Sequence, residues 1–507
     1  MTLTLNKIDD LLKKEDLLKE YVYQNNWYYN LPIANTEIKE LSYDSRNVTA
    51  DTLFFCKGLN FKEEYLEKAV DAGLKFYISE NPYEVNSKLG IIVTDIRKAM
   101  ALISMHFYEL PQEKLTVIGF TGTKGKTTAA YFTKFILDEA TNNKTAMLST
   151  MNTTLDGVNY FKSALTTPES LDLYKMMAEA VSNGMSHLIM EVSSQAYKLN
   201  RVYGLTFDVG IFLNISPDHI GPIEHPTFDD YYYCKRRLIE NSKRMVLNTD
   251  TKDYPLLKEL TESKNIPYYA YSSTDKQADY TWETAVDSLL EFNVQSTHED
   301  SLDINGRYKI KLMGDFNKDN ALASLITTKI AGASKEAAEK GLAETLVPGR
   351  MEHLTHPNGA NIFVDYAHNY SSLKNLLSFA KSAHPDGKII TVIGSTGDKG
   401  VSRRADFGKV LAELTDVAIL TADDPGSENP KDIAMEISSA IDNKDIEQLI
   451  IVDRVEAIQK ALSIVGEKDS VIIAGKGQDK YQKIKGVDTP YLGDYSVAEN
   501  YIETLKN

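Results

Sequence analysis

Between Leu115 and Asp138 the chain runs through a short apolar strand, a glycine-rich turn and the opening of a helix. Few arrangements satisfy that order. The strand Leu115–Phe120 delivers Thr121-Gly122-Thr123-Lys124-Gly125-Lys126-Thr127-Thr128 to a helix predicted over Thr127–Asp138. Glycines in such a turn let backbone N–H groups approach phosphate oxygens, and the helix N-terminus adds a favourable dipole. Lys126 suits the β- and γ-phosphates, and the Thr127 hydroxyl suits Mg²⁺. Phe120 stands at the first glycine position of the common G-x-x-x-x-G-K-[ST] pattern, so the match is partial. A purely structural turn is the competing reading; Gly-Lys-Thr-Thr after a strand and before a helix favours phosphate. The loop alone does not say which reaction a nucleotide would drive.

The same alternation continues around it. His187–Val192 and Val209–Asn214 read as further strands, and after Pro348-Gly349 come Asn361–Val364, Ile389–Ile393, Val417–Leu420 and Val471–Ala474, each followed by a polar or glycine-rich turn. Strands alternating with helices imply parallel sheets covered on both faces, with ligands at the carboxyl ends. Before the loop, short strands (Thr52–Cys56, Gly90–Thr94) and a helix from Ile96 to Leu110 suggest a smaller domain ending at Pro111. A chain of 507 residues exceeds one hydrophobic core. The expectation is α/β with three domains, over 1–111, 112–347 and 348–507.

Charge narrows the partners. Lys and Arg number 56 against 72 Asp and Glu, a formal charge of −16, which opposes binding to nucleic acid or an anionic membrane. Two cysteines far apart, Cys56 and Cys234, build no disulfide framework or zinc spacing. The N-terminus lacks a signal-peptide core, and no apolar run approaches a membrane span. A cytoplasmic monomer without membrane insertion is expected.

Thr-Gly-Thr-x-Gly-Lys-Thr-Thr resembles the phosphate loop of the Mur ligases and their folylpolyglutamate-synthase relatives. Further segments fit that family in order: Asp44-Ser45-Arg46, Glu191-Val192-Ser193-Ser194, Asn214-Ile215-Ser216-Pro217-Asp218-His219, Gly314-x-Phe316-Asn317-x-x-Asn320, Gly349-Arg350-Met351-Glu352, Asp365-Tyr366-Ala367-His368 and Ala474-Gly475-Lys476-Gly477. The resemblance implies an N-terminal domain for the UDP-linked substrate, a central ATPase-like domain and a Rossmann-like C-terminal domain. It implies ATP and Mg²⁺ as cofactors, with Gly122 to Thr128, Asn317, Asn320, Arg350, Asp365 and His368 on the nucleotide. Thr127, Glu191, His219 and Lys235 would hold metal, Lys235 as a carbamate; Lys126, Glu191, His219 and Lys235 would be the catalytic set. Read alone, Glu191 is a solvated strand-end carboxylate and Lys235 a helix-surface lysine. Ser45, Thr166, Thr167, Ser193 and Arg201 would hold UDP-N-acetylmuramoyl-L-alanyl-D-glutamate. Thr167-Pro168 also reads as a helix start, with Thr167 as the cap.

The amino acid to be added is expected to meet Asp423, Asp424, Pro425, Gly426, Gly475 and Asp479. Family members that add meso-diaminopimelate carry Asp-Asn-Pro-Arg where this chain has Asp423-Asp424-Pro425-Gly426. A lost arginine and a gained carboxylate suit an ammonium-ended side chain, with Asp424 or Asp479 against the ε-ammonium of L-lysine. L-Ornithine, one methylene shorter, stays open. So does meso-diaminopimelate. From another class, a non-catalytic nucleotide-binding regulator on the same fold is the alternative. The expected reaction is ATP-dependent amide formation on the D-glutamate γ-carboxylate through an acyl phosphate, in peptidoglycan synthesis.

Overall fold

A computed structural model describes residues 1–58, 61–221, 224–398 and 400–506. It divides into two compact units, one of residues 1–311 and 315–345, the other of 312–314 and 346–507. The expected division at 111/112 falls inside the first unit. The second unit begins within two residues of the boundary expected at 347/348.

The first unit holds two large sheets. The N-terminal one has six strands in the order Asn26–Tyr28, Leu18–Tyr23, Leu89–Val93, Phe76–Ser79, Thr52–Phe55, Glu40–Ser42. An opening helix, Leu5–Lys14, is capped by Thr4, whose Oγ1 accepts from Lys7 N, and buries Leu5, Ile8, Leu11 and Leu12. Helix Ile96–Phe107 starts on an Asp95 cap that accepts from the Arg97 and Lys98 amides. It stops three residues before the expected Leu110, because Glu109 and Leu110 take positive φ (60° and 52°) ahead of Pro111. A proline disfavours helical backbone in the residue before it.

The larger sheet has eleven strands, and Thr116–Thr121 lies between His187–Glu191 and Val209–Phe212. Pairing is parallel from Thr145–Leu148 across to Tyr280–Thr284, with antiparallel strands at both edges. From Thr121 the chain first builds one side of the sheet and then crosses to Val209–Phe212 on the other. The phosphate loop therefore sits at the carboxyl end of a strand where the winding changes side, the place such sheets offer to ligands. Val117, Ile118 and Phe120 are fully buried, and burial of each such side chain stabilises the strand by about 1.5–3 kcal/mol.

The expected helix start at Thr167-Pro168 is overturned. The helix is Ser170–Ser182, its N-cap is Glu169, and Glu169 makes no side-chain cap. Thr167 is spent elsewhere, donating to the Glu191 carbonyl at 2.9 Å.

In the second unit the order is Glu352–Thr355, Asn361–Asp365, Ser470–Ala474, Ile389–Ile393, Val417–Leu420, Glu447–Ile450, parallel except at the first pair. The four expected strands are the inner ones. Both outer strands are half-exposed and lack an apolar run.

Candidate active site

Gly122 and Gly125 take positive φ (154° and 82°), and Gly125 has no room for a side chain. A Cβ there would lie 2.4 Å from Asn320 Oδ1. Asn320 and Asn317 are both buried on helix Asp315–Ile330, so Asn320, one of the residues expected beside the nucleotide, packs against the loop itself.

The loop is held on its far side by Asn214. Thr123 N donates to the Asn214 carbonyl (3.1 Å), Lys124 N to Asn214 Oδ1 (2.9 Å), and Asn214 Nδ2 to the Lys124 carbonyl (3.1 Å). Thr123 Oγ1 accepts from Ser216 N (3.0 Å) and lies 3.1 Å from the Tyr231 hydroxyl. Lys126 Nζ donates to the Gly122 carbonyl at 2.8 Å, and Lys235 Nζ donates to the same oxygen at 2.7 Å.

Lys235 lies on helix Phe228–Glu240, only 2 % exposed, with its ammonium 4.8 Å from the Tyr231 ring centre. The surface-lysine reading is excluded. Burial, and next the positive charge of Lys126, press its pKa well below the ordinary lysine value. Tyr231 is fully buried, one helical turn before Lys235, and joins that helix to Thr123. Sequence reasoning missed it, although its i, i−4 spacing from Lys235 was a usable signal.

Glu191 is equally enclosed, at 1 % exposure. Its Oε1 accepts from Thr127 Oγ1 and from Thr150 N, both at 2.8 Å, and Oε2 lies 2.9 Å from Thr150 Oγ1. Thr150 Oγ1 is also 3.1 Å from Thr166 Oγ1. Thr167 Oγ1 accepts from Ser193 N (3.0 Å), and Ser193 caps helix Ser194–Lys198. Thr127, Glu191, Thr166, Thr167 and Ser193 therefore form one connected set. Thr150 completes it and carried no motif signal.

His219 is placed differently. It is half-exposed at positive φ (55°), with Nδ1 2.9 Å from Glu224 Oε1. His225 is the buried histidine here, its Nδ1 2.6 Å from Asp230 Oδ2 and its Nε2 2.8 Å from Ser194 Oγ.

Arg201 donates from Nε to Glu169 Oε1 (2.9 Å) and from Nη1 to the Thr167 carbonyl (3.2 Å). Lys57 Nζ lies 2.7 Å from Glu169 Oε2, and Arg97 Nη1 lies 4.0 Å from the same oxygen. Burial alone would raise Glu169, but the hydrogen bond from Lys57 and the charges of Lys57, Arg201 and Arg97 outweigh it and hold the carboxyl below its ordinary value. Three cations on one carboxylate leave a positive surplus suited to a diphosphate. Nearby, a 710 Å³ cavity is lined by Tyr43, Asp44, Arg46, Phe107, Tyr108 and Asp172, among others. Ser45 falls between two of these lining residues, and Tyr43 Oη bonds Asp172.

In the second unit Asp365 Oδ2 accepts from Met351 N at 2.8 Å, and burial raises its pKa against the lowering charge of Arg350. Arg350 lies over the Tyr366 ring at 5.5 Å, and His368 Nδ1 is 2.8 Å from the Tyr366 carbonyl. Asp365, Arg350 and His368 are thus gathered around Tyr366. At the neighbouring strand ends, Asp423 is buried and Gly426 takes φ 59°. Asp424 Oδ1 accepts from Lys476 Nζ at 2.8 Å, and Asp479 Oδ2 accepts from the same ammonium at 2.9 Å. A lysine of the chain itself thus stands between the carboxylates expected to meet a substrate ammonium.

The buried carboxylate, the hydroxyls and the phosphate loop form an oxygen-rich donor set beside two ammonium groups, which fits a magnesium–nucleotide. Residues 120–328 match the Mur ligase middle domain, and 349–477 match the Mur ligase glutamate ligase domain. UDP-N-acetylmuramoyl-L-alanyl-D-glutamate--L-lysine ligase of Enterococcus faecalis is 60% identical over 99% of this chain and 99% of its own. Among solved structures, a UDP-N-acetylmuramoyl-L-alanyl-D-glutamate--2,6-diaminopimelate ligase superposes with TM-score 0.68 at 24% identity, covering 100% of both chains. E. coli FolC in complex with ADP gives 0.57 at 16% identity, over 81% of this chain and 94% of that one. At such identities the two structures speak for the fold alone. No helix among the described residues is long and apolar enough to cross a membrane.

Proposed function

Because the chain belongs to the Mur ligase family, we propose that it is the ATP-dependent ligase joining L-lysine to the D-glutamate γ-carboxylate of UDP-N-acetylmuramoyl-L-alanyl-D-glutamate. The geometry that carries the reading is the phosphate loop, where Lys126 and Lys235 converge on the Gly122 carbonyl. Its choice of lysine is supported by the end-to-end likeness to the Enterococcus enzyme and by the carboxylates Asp424 and Asp479.

A carboxylate does not condense with an amine unaided. Its oxygen attacks the γ-phosphorus of ATP, ADP departs, and an acyl phosphate forms. The lysine α-amine, having lost a proton, attacks the acyl carbon, and phosphate leaves from the tetrahedral intermediate. Lys126 would offset charge on the transferring phosphoryl group from its seat at the loop. Thr127, Glu191 and a carbamylated Lys235 would hold Mg²⁺, which supplies charge neutralisation when bound; His219 would join them only by turning from Glu224. Carbamylation itself needs a neutral amine: R–NH₂ and CO₂ give R–NH–COO⁻ and a proton. Burial, with the charge of Lys126 next, shifts Lys235 toward that neutral form.

Arg201 and Lys57, with the Thr167–Ser193 pair, would hold the UDP substrate, and the 710 Å³ cavity beside Ser45 is the proposed seat of its nucleoside end. The proposed division into substrate, nucleotide and amino-acid domains follows the boundaries 1–111, 112–347 and 348–507, with action as a cytoplasmic monomer. The test is phosphate release from ATP with the UDP substrate and, in turn, L-lysine, L-ornithine and meso-diaminopimelate, with product mass. Lysine-dependent release with one matching mass increase is expected. Release indifferent to the UDP substrate overturns the reading.

A further inference from the structure

One buried ion pair joins two strand ends that the sheet leaves apart. Arg454 opens helix Arg454–Ile464 and Asp494 opens helix Asp494–Lys506, and both side chains are fully buried. The guanidinium grips the carboxylate with two parallel bonds, Nε to Oδ1 at 2.7 Å and Nη2 to Oδ2 at 2.8 Å. It also donates from Nη1 to the Ala422 carbonyl at 3.1 Å and from Nη2 to the Ala474 carbonyl at 2.8 Å.

Those two carbonyls lie where strands run out into the turns expected to receive the amino acid. Ala474 ends strand Ser470–Ala474 and leads into turn 475–479, while Ala422 follows strand Val417–Leu420 and leads into turn 423–426. The strands are not neighbours: Ile389–Ile393 lies between them and pairs with each. Neighbouring strands are about 4.8 Å apart, so roughly 10 Å separates these two. The guanidinium is a direct link between their ends.

Asp494 carries the link into the second turn. Its Oδ2 accepts from Gly477 N at 3.0 Å, and its own N–H donates to the Gly477 carbonyl at 2.7 Å. Oδ1 also accepts from the Tyr491 hydroxyl at 2.7 Å. Both backbone polar groups of Gly477 are therefore held by one residue. The turns come together at Gly475 (φ 117°), where a Cβ would lie 2.7 Å from Asp423 Oδ2 and 3.6 Å from Arg454 Nη2.

Stability alone is a weak reason to keep such a pair, because exchanging a buried ion pair for apolar residues of similar volume is often neutral or stabilising. Apolar residues could not make the bonds to Ala422, Ala474 and Gly477. We propose that Arg454 and Asp494 are positioning residues of the amino-acid site, a buried bracket that fixes turn 423–426 against turn 475–479 so that both face one incoming amino acid. The proposal rests on the amino-acid-adding function above. Neither residue touches substrate; both act through the backbone of the turns.

The test exchanges the pair whole. Full-length R454M/D494L removes the bracket without stranding a charge, and a purely structural role is met by that apolar exchange. Its kcat/KM for L-lysine should fall about tenfold or more, while KM for ATP and for the UDP substrate stays within about threefold of wild type. D494N keeps the shape and one acceptor oxygen, so it should show a smaller loss in the same direction. A wild-type kcat/KM for lysine in the folded double variant, or in D494N where the double variant does not fold, overturns the bracket. So does a parallel rise in all three KM values, which marks a general loosening. Wild-type enzyme without lysine-dependent phosphate release overturns the ligase reading and the bracket together, whereas a lysine-dependent wild type with unaffected variants overturns the bracket alone.

Discussion

Lys126 and Lys235 donate to one oxygen, the Gly122 carbonyl, at 2.8 and 2.7 Å. Burial first, and then the repulsion between two ammonium groups that share one neutral acceptor, make Lys235 lose its proton more readily. An anionic phosphate, or conversion of Lys235 to an anion, removes that conflict.

Removal of Lys126 should damage the chemical step directly. K126A is expected to cut kcat by about 10²–10³-fold or more, the scale for deleting one preorganised charge. Phosphate release under single turnover measures it. Near-normal release would take the loop out of the reaction.

Lys235 makes two separable predictions. K235A should lose turnover and regain part of it with a short carboxylate in the buffer. In CO₂-free buffer the folded-state pKa lies below the ordinary 10.5. Between those two values the unfolded chain binds the extra proton, so this group makes stability rise with pH. K235M should flatten that slope in urea melts; an unchanged slope would mean Lys235 titrates as an ordinary lysine.

Glu352 should contribute with the opposite sign. Burial raises its pKa to about 7, against lowering hydrogen bonds from Gly349 N and Gln478. From the ordinary 4.5 up to about 7 the folded state holds the extra proton, so stability from this group falls as pH rises through that window. E352Q should lose less thermal stability than wild type between the two ends of the window. Parallel pH profiles would remove Glu352 as the cause.

Arg454 and Asp494 form a fully buried pair, and Arg454 also donates to the Ala422 and Ala474 carbonyls at 3.1 and 2.8 Å. R454M strands a carboxylate, so denaturant melts should show a loss of about 3–5 kcal/mol. A loss below about 1 kcal/mol, the scale of an exposed pair, would show that solvent reaches Asp494.

Exchanging Asp423-Asp424-Pro425-Gly426 for the diaminopimelate pattern needs more than two substitutions. At Gly426 a Cβ would lie 2.0 Å from Asp398 Oδ2, on a backbone at φ 59°. D424N/G426R should therefore gain little use of diaminopimelate until Asp398 is shortened, as in D398A. Competition assays with both amino acids measure the ratio; a full switch without touching Asp398 would mean that its side chain swings aside freely.

The sequence announced elements with strong local signals and was silent where tertiary packing decides. The phosphate loop and the four inner strands of the second unit carry glycines or unbroken apolar runs, and they lie where expected. Strand Glu352–Thr355 carries neither, because an edge strand buries only part of each face. Thr167-Pro168 misled for a different reason: a good capping residue was taken by the Glu191 carbonyl before the helix could use it. The enclosure of Lys235 depends on the Tyr231 ring and a glycine over a hundred residues away, and the bridge from Lys476 to Asp424 spans another long separation. No short motif encodes such meetings.

Glu191 spends both of its functional groups: its carboxylate bonds Thr127 in the nucleotide loop, and its carbonyl bonds Thr167 on the proposed substrate side. Two ligands that lean on one rigid residue are thermodynamically linked, and linkage is reciprocal. Whatever factor a ligand at the loop applied to the affinity on the Thr167 side would be returned to it in full, so through this one side chain and its own peptide bond neither ligand could gain at the other's expense.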